Sequence, residues 1–228
     1  MRGWLSRTRA DRGSTPASGP GADPRGRQLA TEQQARADLD AALEQFKAKR
    51  YDKAEASFAA VEAECAPELV GIRLAAKTRR AGCLLATEQY ARALAVFDEL
   101  ADERERAELI DGERFPGQVG SILWSRAVCL EQLGRLGEAH DRAQELLEAI
   151  GDGAGLAERH YVAEAYVLTG KYAMARREYG RAHQALDVAI GKCMAEDDAD
   201  FDTTRRQAEE LKASIRKYVR VKDPADKP

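Results

Sequence analysis

The chain has 228 residues, of which 44% are hydrophobic, 33% are charged and only 6% are aromatic. It is long enough for one sizeable domain or for a stack of repeats. Its net charge of −3 disfavours direct binding to nucleic acid, which depends on clustered Lys and Arg. No run of about 18 apolar residues and no N-terminal apolar core occurs, so the sequence predicts neither a membrane span nor export.

Residues 1–30 are rich in Arg, Gly, Ser and Pro. Six Arg stand against two Asp, a net charge of +4 that leaves −7 for the rest of the chain. Such a composition cannot bury enough apolar surface to offset the entropy of ordering, so we predict a disordered segment. Two interpretations stay open, an unstructured leader and an arm that contacts an acidic surface or nucleic acid.

Four cysteines occur, and their spacing is too wide for a metal knuckle or a redox pair. We predict buried, reduced thiols and a reducing cytoplasm as the location of the protein. The four positions are Cys65, Cys83, Cys129 and Cys193.

From Thr31 onward, apolar residues recur at helical spacing. Thr31 followed by Gln34 is typical of a helix N-terminal cap. The pattern predicts four helix–turn–helix units. The turn of the third unit is predicted at Gly134. The second helices of the units are predicted to open at Tyr51, Tyr90, Leu136 and Tyr172.

In the fourth unit the turn between the two helices is predicted at Gly170, whose backbone freedom suits a turn. Tyr172 then opens the second helix, in which Ala175, Tyr179 and Ala182 recur at i, i+4 and i+7 on one face. We therefore expect Ala175 to be buried, like its counterparts in the first two units, Ala54 and Ala93.

The repeat region is predicted to span residues 31–195, and an acidic linker with a capping helix follows at 196–221. The acidic run from Glu196 to Asp202 lacks the glycine and distal Glu of a calcium loop, so we predict a linker whose Asp residues lie near a helix N-terminus. A helix at about 203–220 has one apolar stripe, as expected for the terminal cap of a repeat array. Residues 222–228 are predicted to form a flexible tail.

Three residue pairs match the Ala-x3-aromatic element of the tetratricopeptide repeat (TPR) family: Ala54/Phe58, Ala93/Phe97 and Ala175/Tyr179. The resemblance covers about residues 31–195. It implies an all-α fold, a right-handed α-solenoid of about four TPR-like units plus a C-terminal capping helix. The spacing between the key alanines exceeds the family unit of about 34 residues, so longer helices or loops must interrupt the stack.

In the TPR family the first helices line a concave side that holds an extended peptide or a partner helix. The resemblance therefore implies a non-enzymatic interaction module or adaptor for a protein or peptide. Carried onto this chain, the partner-binding positions are Leu43, Lys47, Thr78, Leu85, Trp124, Glu131, His160 and Glu164. Trp124 is the best anchor because aromatic residues dominate interface energetics, and its alternative is a core position.

The chain has no Asn, so it cannot form the paired Lys and Asn clamp with which family members grip a C-terminal carboxylate. It has no His-Glu-x-x-His pair, no Gly-x-Ser-x-Gly elbow and no phosphate-binding lysine loop. We therefore predict no catalytic, metal or cofactor site. A second hypothesis is a regulatory receptor for a small ligand or signal peptide, linked to transcriptional control. Self-association through terminal helices is also open.

Overall fold

The computed structural model describes residues 31–111, 116–150 and 155–219, and of 104–118 it describes no side chains. The predicted disordered segment 1–30 and the tail 222–228 lie outside these ranges. The described residues form helices and no strand. The helices are α1 (Glu32–Lys47), α2 (Tyr51–Glu64), α3 (Val70–Ala86), α4 (Tyr90–Asp111), α5 (Pro116–Gln132), α6 (Leu136–Ala149), α7 (Leu156–Ala175), α8 (Tyr179–Met194), α9 (Ala199–Ile215) and a short 3-10 turn (Arg216–Tyr218).

Each helix packs against the next one along the chain, and alternate helices also meet. Helix α1 contacts α3, α5 contacts α7, and α7 contacts α9. Within the described ranges, α3 and α5 meet much less than these pairs do. The described residues therefore form a stack of four helix pairs, α1–α2 to α7–α8, followed by α9, in agreement with the predicted all-α solenoid.

A three-residue turn joins the two helices of each pair, and the four turns have the same backbone geometry. The middle residue of each turn lies in the left-handed region: Lys49 (φ 57°), Glu88 (φ 58°), Gly134 (φ 74°) and Arg177 (φ 61°). In the second turn, the Glu88 N–H donates to the Leu85 carbonyl at 3.0 Å and the Gln89 N–H donates to the Leu84 carbonyl at 2.8 Å. The other three turns repeat both bonds, so two carbonyls near the end of each first helix are satisfied by the turn.

A buried alanine follows each turn, at the fourth residue of the second helix. Its N–H donates to the carbonyl of the last turn residue at 2.9 or 3.0 Å, which starts the helix. A small buried residue lies twelve positions earlier, on the first helix. The alanines, all 0% exposed, are Ala54, Ala93, Ala139 and Ala182, and the earlier small residues are Ala42, Ala81, Ala127 and Gly170.

The units vary in length everywhere except at these turns. Successive buried alanines of the second helices are 39, 46 and 43 residues apart. The extra residues lengthen helices, since α4 has 22 residues and α7 has 20 while α2 and α6 have 14 each. The turn and the twelve-residue spacing between the two buried small residues are therefore the same in each unit. The number of residues between one unit and the next varies. The reduced contact between α3 and α5 in the described ranges follows the long α4, which lies between them along the chain.

The prediction for the fourth unit is wrong by seven residues. Helix α7 continues through Gly170 and ends at Ala175, and Tyr179 opens α8. Ala175 is exposed, whereas Ala54 and Ala93 are buried as predicted. Tyr172 therefore does not open a helix.

The reason for Gly170 is close helix packing. A Cβ atom on Gly170 would lie 2.8 Å from Cγ and Cδ2 of Leu186 in α8, too close for any real contact. The glycine thus lets α7 and α8 approach each other. Tyr172, two residues on, stacks on His140 of α6 with ring centroids 4.2 Å apart and so joins the third unit to the fourth.

The predicted helix ends are right in some places and wrong in others. The Thr31 side chain accepts a hydrogen bond from the Gln34 N–H at 3.3 Å, so the predicted cap is confirmed. Helix α3 begins at Val70, three residues after Pro67. Pro116 is the first residue of α5. Helix α9 begins at Ala199 and not near 203, because the Asp198 side chain caps it.

All four cysteines are buried and free, as predicted. Burial raises the pKa of the Cys83 and Cys193 thiols to about 11 and that of Cys129 to about 12. These thiols therefore stay protonated at neutral pH and fill space between helices as small apolar groups.

The left-handed turn at Glu88 gives the first testable prediction. A non-glycine residue in this region costs about 1–2 kcal/mol, and glycine loses part of that gain to its more flexible unfolded chain. We expect Glu88→Gly to raise the free energy of unfolding by about 0.5–1 kcal/mol in urea titrations. The control is Arg79→Gly in the middle of α3, an exposed site where glycine should cost about 1 kcal/mol. A loss of stability in both variants would contradict the shared turn geometry.

The contact at Gly170 gives the second prediction. We expect Gly170→Ala to lower the free energy of unfolding by about 1–3 kcal/mol, because the new methyl group must push Leu186 away. In Gly191→Ala, on α8, the new methyl meets nothing within 4 Å, and higher helix propensity should stabilise the protein by about 0.5–1 kcal/mol. Thermal unfolding should separate the two by sign, and a Gly170→Ala protein as stable as Gly191→Ala would place Gly170 in open space.

Candidate interaction surface

Four of the predicted partner-binding residues occupy equivalent positions on neighbouring first helices. Thr78 and Trp124 each lie fifteen residues before the buried alanine of their unit, and Leu85 and Glu131 each lie eight residues before it. All four side chains are half-buried. Leu85 and Trp124 pack against the main core cluster with part of their surface, so the anchor and core interpretations of Trp124 both apply.

On α1, the predicted positions are Leu43 and Lys47. Leu43 is half-buried, and Lys47 is exposed and forms an ion pair with Glu44 at 2.8 Å. The position of Lys47 recurs in the other units at exposed residues. These are Ala86, Gln132 and Ala175, each the seventh residue before the buried alanine.

Glu131 forms an ion pair with Lys171, and this pair joins α5 to α7. The Lys171 ammonium lies 2.7 Å from a Glu131 carboxylate oxygen, and both side chains are about three-quarters buried. Lys171 lies eleven residues before the buried alanine of the fourth unit, as Leu43 does in the first unit. The sequence analysis missed it because the fourth unit was placed seven residues too early.

The structure brings His160 and Glu164 together at the contact between α7 and α9. His160 Nε2 lies 3.0 Å from the hydroxyl of Thr204 in α9 and 3.8 Å from Glu164 Oε1. The edge of Phe201 packs against the imidazole ring, with centroids 5.0 Å apart. This pair therefore lies on α7 beside the capping helix α9, whereas Trp124 lies on α5. Its role in partner binding stays a prediction.

Burial raises the pKa of the Glu164 carboxyl, although His160, the Thr204 hydroxyl and Lys171 act in the opposite direction. A carboxylate so placed is costly to desolvate further. It fits a structural role in holding α9 better than a role in gripping a charged partner.

A second polar cluster crosses α2, α3 and α4. Its centre is Lys77, which is only 7% exposed. The Lys77 ammonium lies 2.9 Å from Glu103, 3.3 Å from Glu62 and 3.5 Å from Glu99. Arginines on the same face of α3 extend the cluster by pairing with carboxylates on the flanking helices: Arg73 with Glu103, and Arg80 with Glu55 and Glu62.

The charges of this cluster shift each other's pKa. Burial raises the pKa of Glu103, but hydrogen bonds from Lys77 and Arg73 outweigh it, so the net pKa is below the ordinary value. Burial lowers the pKa of Lys77, and the hydrogen bond and charges of Glu103 and Glu62 raise it to a net value above the ordinary one. Lys77 and Glu103 therefore both stay ionised at neutral pH.

In the described ranges, no three His, Cys, Asp or Glu side chains lie close enough together to hold a metal ion. The helices of those ranges are also too short or too polar to cross a membrane.

The repeated helix pairs, the shared turns and the buried small residues define a TPR-like repeat fold, an all-α solenoid. The fold is similar to a crystal structure of nearly identical TPR-like repeats, from a protein of Podosopora anserina assigned as a kinesin light chain. The TM-score is 0.54 with 16% sequence identity, over 82% of this chain and 96% of that one. At this identity the likeness shows the fold alone. No protein-family model matches the sequence, and no curated protein matches it.

The buried cluster gives the third prediction. Lys77→Met removes a buried cation from Glu62 and Glu103, and each carboxylate keeps one arginine partner. We therefore expect a loss of about 1–3 kcal/mol at neutral pH. Because the pKa of Glu103 is depressed on folding, its contribution is present above the unfolded value of about 4.3 and is lost as the pH falls through the folded pKa. The loss caused by Lys77→Met should therefore shrink in acid.

The measurement is urea unfolding at neutral pH and near pH 3, well below the unfolded value. The control Lys47→Met removes an exposed pair and should cost less than about 0.5 kcal/mol at either pH. A penalty for Lys77→Met that is the same at both pH values would contradict the proposed coupling to Glu103.

Proposed function

We propose that this chain is a non-enzymatic protein–protein interaction module that holds a peptide or a partner protein against its first helices. Proteins with a TPR-like fold generally mediate protein interactions, since stacked helix pairs create a long curved surface. The observation that carries the proposal is the row of equivalent positions on α1, α3, α5 and α7 that the core does not fully use. The buried free thiols support a location in a reducing cytoplasm.

Two rows of positions make this surface. The outer row is exposed and contains two small residues, Ala86 and Ala175. The inner row consists of the half-buried Thr78, Leu85, Trp124 and Glu131, of which Leu85 and Trp124 are large and apolar. A partner side chain that packs over one of these small residues can therefore reach apolar surface that is already partly desolvated, which favours binding by apolar contact.

Charges on this surface are already paired within the chain. Glu131 is paired with Lys171, and Lys47 is paired with Glu44. A partner that recruits one of these charges must first break its ion pair, so charge contributes little net affinity there. This arrangement, together with the lack of Asn, supports a partner segment with apolar anchors over one gripped by its terminal carboxylate.

The fourth prediction tests this surface with peptides selected from a random library on the purified full-length protein. We expect Ala86→Arg to weaken the selected peptides at least about tenfold, because the long side chain fills the space between the rows. Ala86 is exposed, so the fold should be unaffected. Dissociation constants come from fluorescence anisotropy, and urea unfolding checks stability.

The matched control is Ala63→Arg, the same substitution at an exposed site on a second helix, α2. It should leave the affinity unchanged. If Ala63→Arg weakens the peptides and Ala86→Arg does not, the partner binds the second helices and the proposed surface is wrong.

A further inference from the structure

A separate group of residues lies at the end of the stack, where the α7–α8 turn meets the chain after α9. We name it the terminal basic patch and define it by four cations and two tyrosines: Arg176, Arg177, Arg181, Lys217, Tyr179 and Tyr218. A surface depression of about 630 Å³ is lined by residues 177–181, which belong to the turn and the start of α8, and by Tyr218. This surface does not include any of the first-helix positions proposed above.

Two stacked tyrosines fix the geometry of the patch. Tyr179 opens α8, and Tyr218 stacks on it with ring centroids 4.5 Å apart and an angle of 16° between the planes. Tyr218 nevertheless remains 53% exposed, which is unusual for a large aromatic side chain in the described part of this chain. The stack therefore holds an aromatic ring in place on the surface, where it can contact a partner without a large loss of side-chain entropy.

The charge of the patch is positive although the chain as a whole is negative. Glu178 is the carboxylate at its centre, and it is shared by Arg176 at 2.8 Å and Arg181 at 3.1 Å. Arg177 and Lys217 are exposed and form no ion pair with any residue in the described ranges. The Lys217 ammonium lies 4.9 Å from the ring centroid of Tyr218. Among the described residues, these two cations are therefore available to a partner.

We propose that the terminal basic patch binds an acidic segment of a partner protein that also carries an aromatic or apolar residue. Carboxylates of the segment pair with Arg177 and Lys217, and its aromatic or apolar side chain covers the exposed ring of Tyr218. Tyr and Arg are the residue types that contribute most to protein interfaces, and here they occur together in one depression. Charge complementarity also favours this partner, since the net negative charge of the chain as a whole disfavours binding of an acidic segment away from this basic patch.

A nucleic acid is the competing anionic partner. Its backbone needs a stripe of cations along several nucleotides, whereas this patch is confined to one turn and one end of the stack. The negative charge of the rest of the chain opposes a long polyanion more than a short acidic segment. The geometry therefore favours the acidic segment, and the experiment separates the two.

The test measures binding of three labelled probes to the full-length protein by fluorescence anisotropy at low and at physiological salt. The probes are a short Glu-rich peptide with one Phe, the same peptide with Lys in place of Glu, and oligothymidylate. We expect the Glu-rich peptide to bind, to weaken as salt is added, and to lose at least about tenfold in affinity in the double variant Arg177→Glu/Lys217→Glu.

The chain supplies a matched control for this variant. Glu88 occupies the same left-handed turn position as Arg177, which shows that glutamate is accepted there. Lys49→Glu/Arg50→Glu makes an equal change of charge at the α1–α2 turn, and it should alter the affinity by less than about twofold. Tyr218→Ala is a second variant at an exposed site and should weaken the peptide several-fold.

Absence of binding by the Glu-rich peptide, an equal loss in the control variant, or tighter binding of oligothymidylate than of the peptide would each overturn the proposal. Ala86→Arg should leave peptide binding at this patch unchanged. Failure of the first-helix surface and failure of the terminal basic patch are therefore distinguishable.

Discussion

One residue in the left-handed backbone region closes each helix pair, and the rest of the stack depends on the direction that it gives to the chain. The four turns have the same length and the same two hydrogen bonds, although only Gly134 has the residue type that suits them. Each residue of an α-helix rotates the chain by about 100°, so a turn longer by one residue would carry the buried alanine of the second helix away from its first helix. The constraint is on geometry and tolerates Lys, Glu and Arg at a local cost.

Local pattern was sufficient for the first three units and insufficient for the fourth. Tyr51, Tyr90 and Leu136 open their helices as predicted, because an apolar residue and an alanine three positions later follow a polar turn. In the fourth unit, Tyr172 with Ala175 and Tyr179 with Ala182 both satisfy this rule. The two frames differ by seven residues, about two helical turns, so the apolar pattern alone does not distinguish them. The structure has the second frame, in which Gly170 packs closely against Leu186 of the next helix, and such a contact between two helices is not visible in the spacing along one of them.

The same limit applies to the candidate surface. Thr78, Leu85, Trp124 and Glu131 could be placed on first helices from the sequence because the frame of their units was right, and their role in binding stays a prediction. Lys171 lies in the fourth unit, whose predicted frame was wrong. Which charges are already paired depends on side chains from different helices, as in the pairs of Glu131 with Lys171 and Lys77 with Glu103. Sequence spacing reports neighbours along one helix only.

The distribution of paired and free charges bears on how the two proposed surfaces would work together. Paired charges along the first helices add little net attraction, so apolar contact would decide the strength and lifetime of a complex there. Arg177 and Lys217 at the end of the stack have no ion pair among the described residues, and free charges act over about 8–10 Å at physiological salt. A partner with an acidic segment beside an apolar one would thus meet the terminal basic patch first. Salt would then slow its association, while changes between the two rows of the first helices would speed its dissociation.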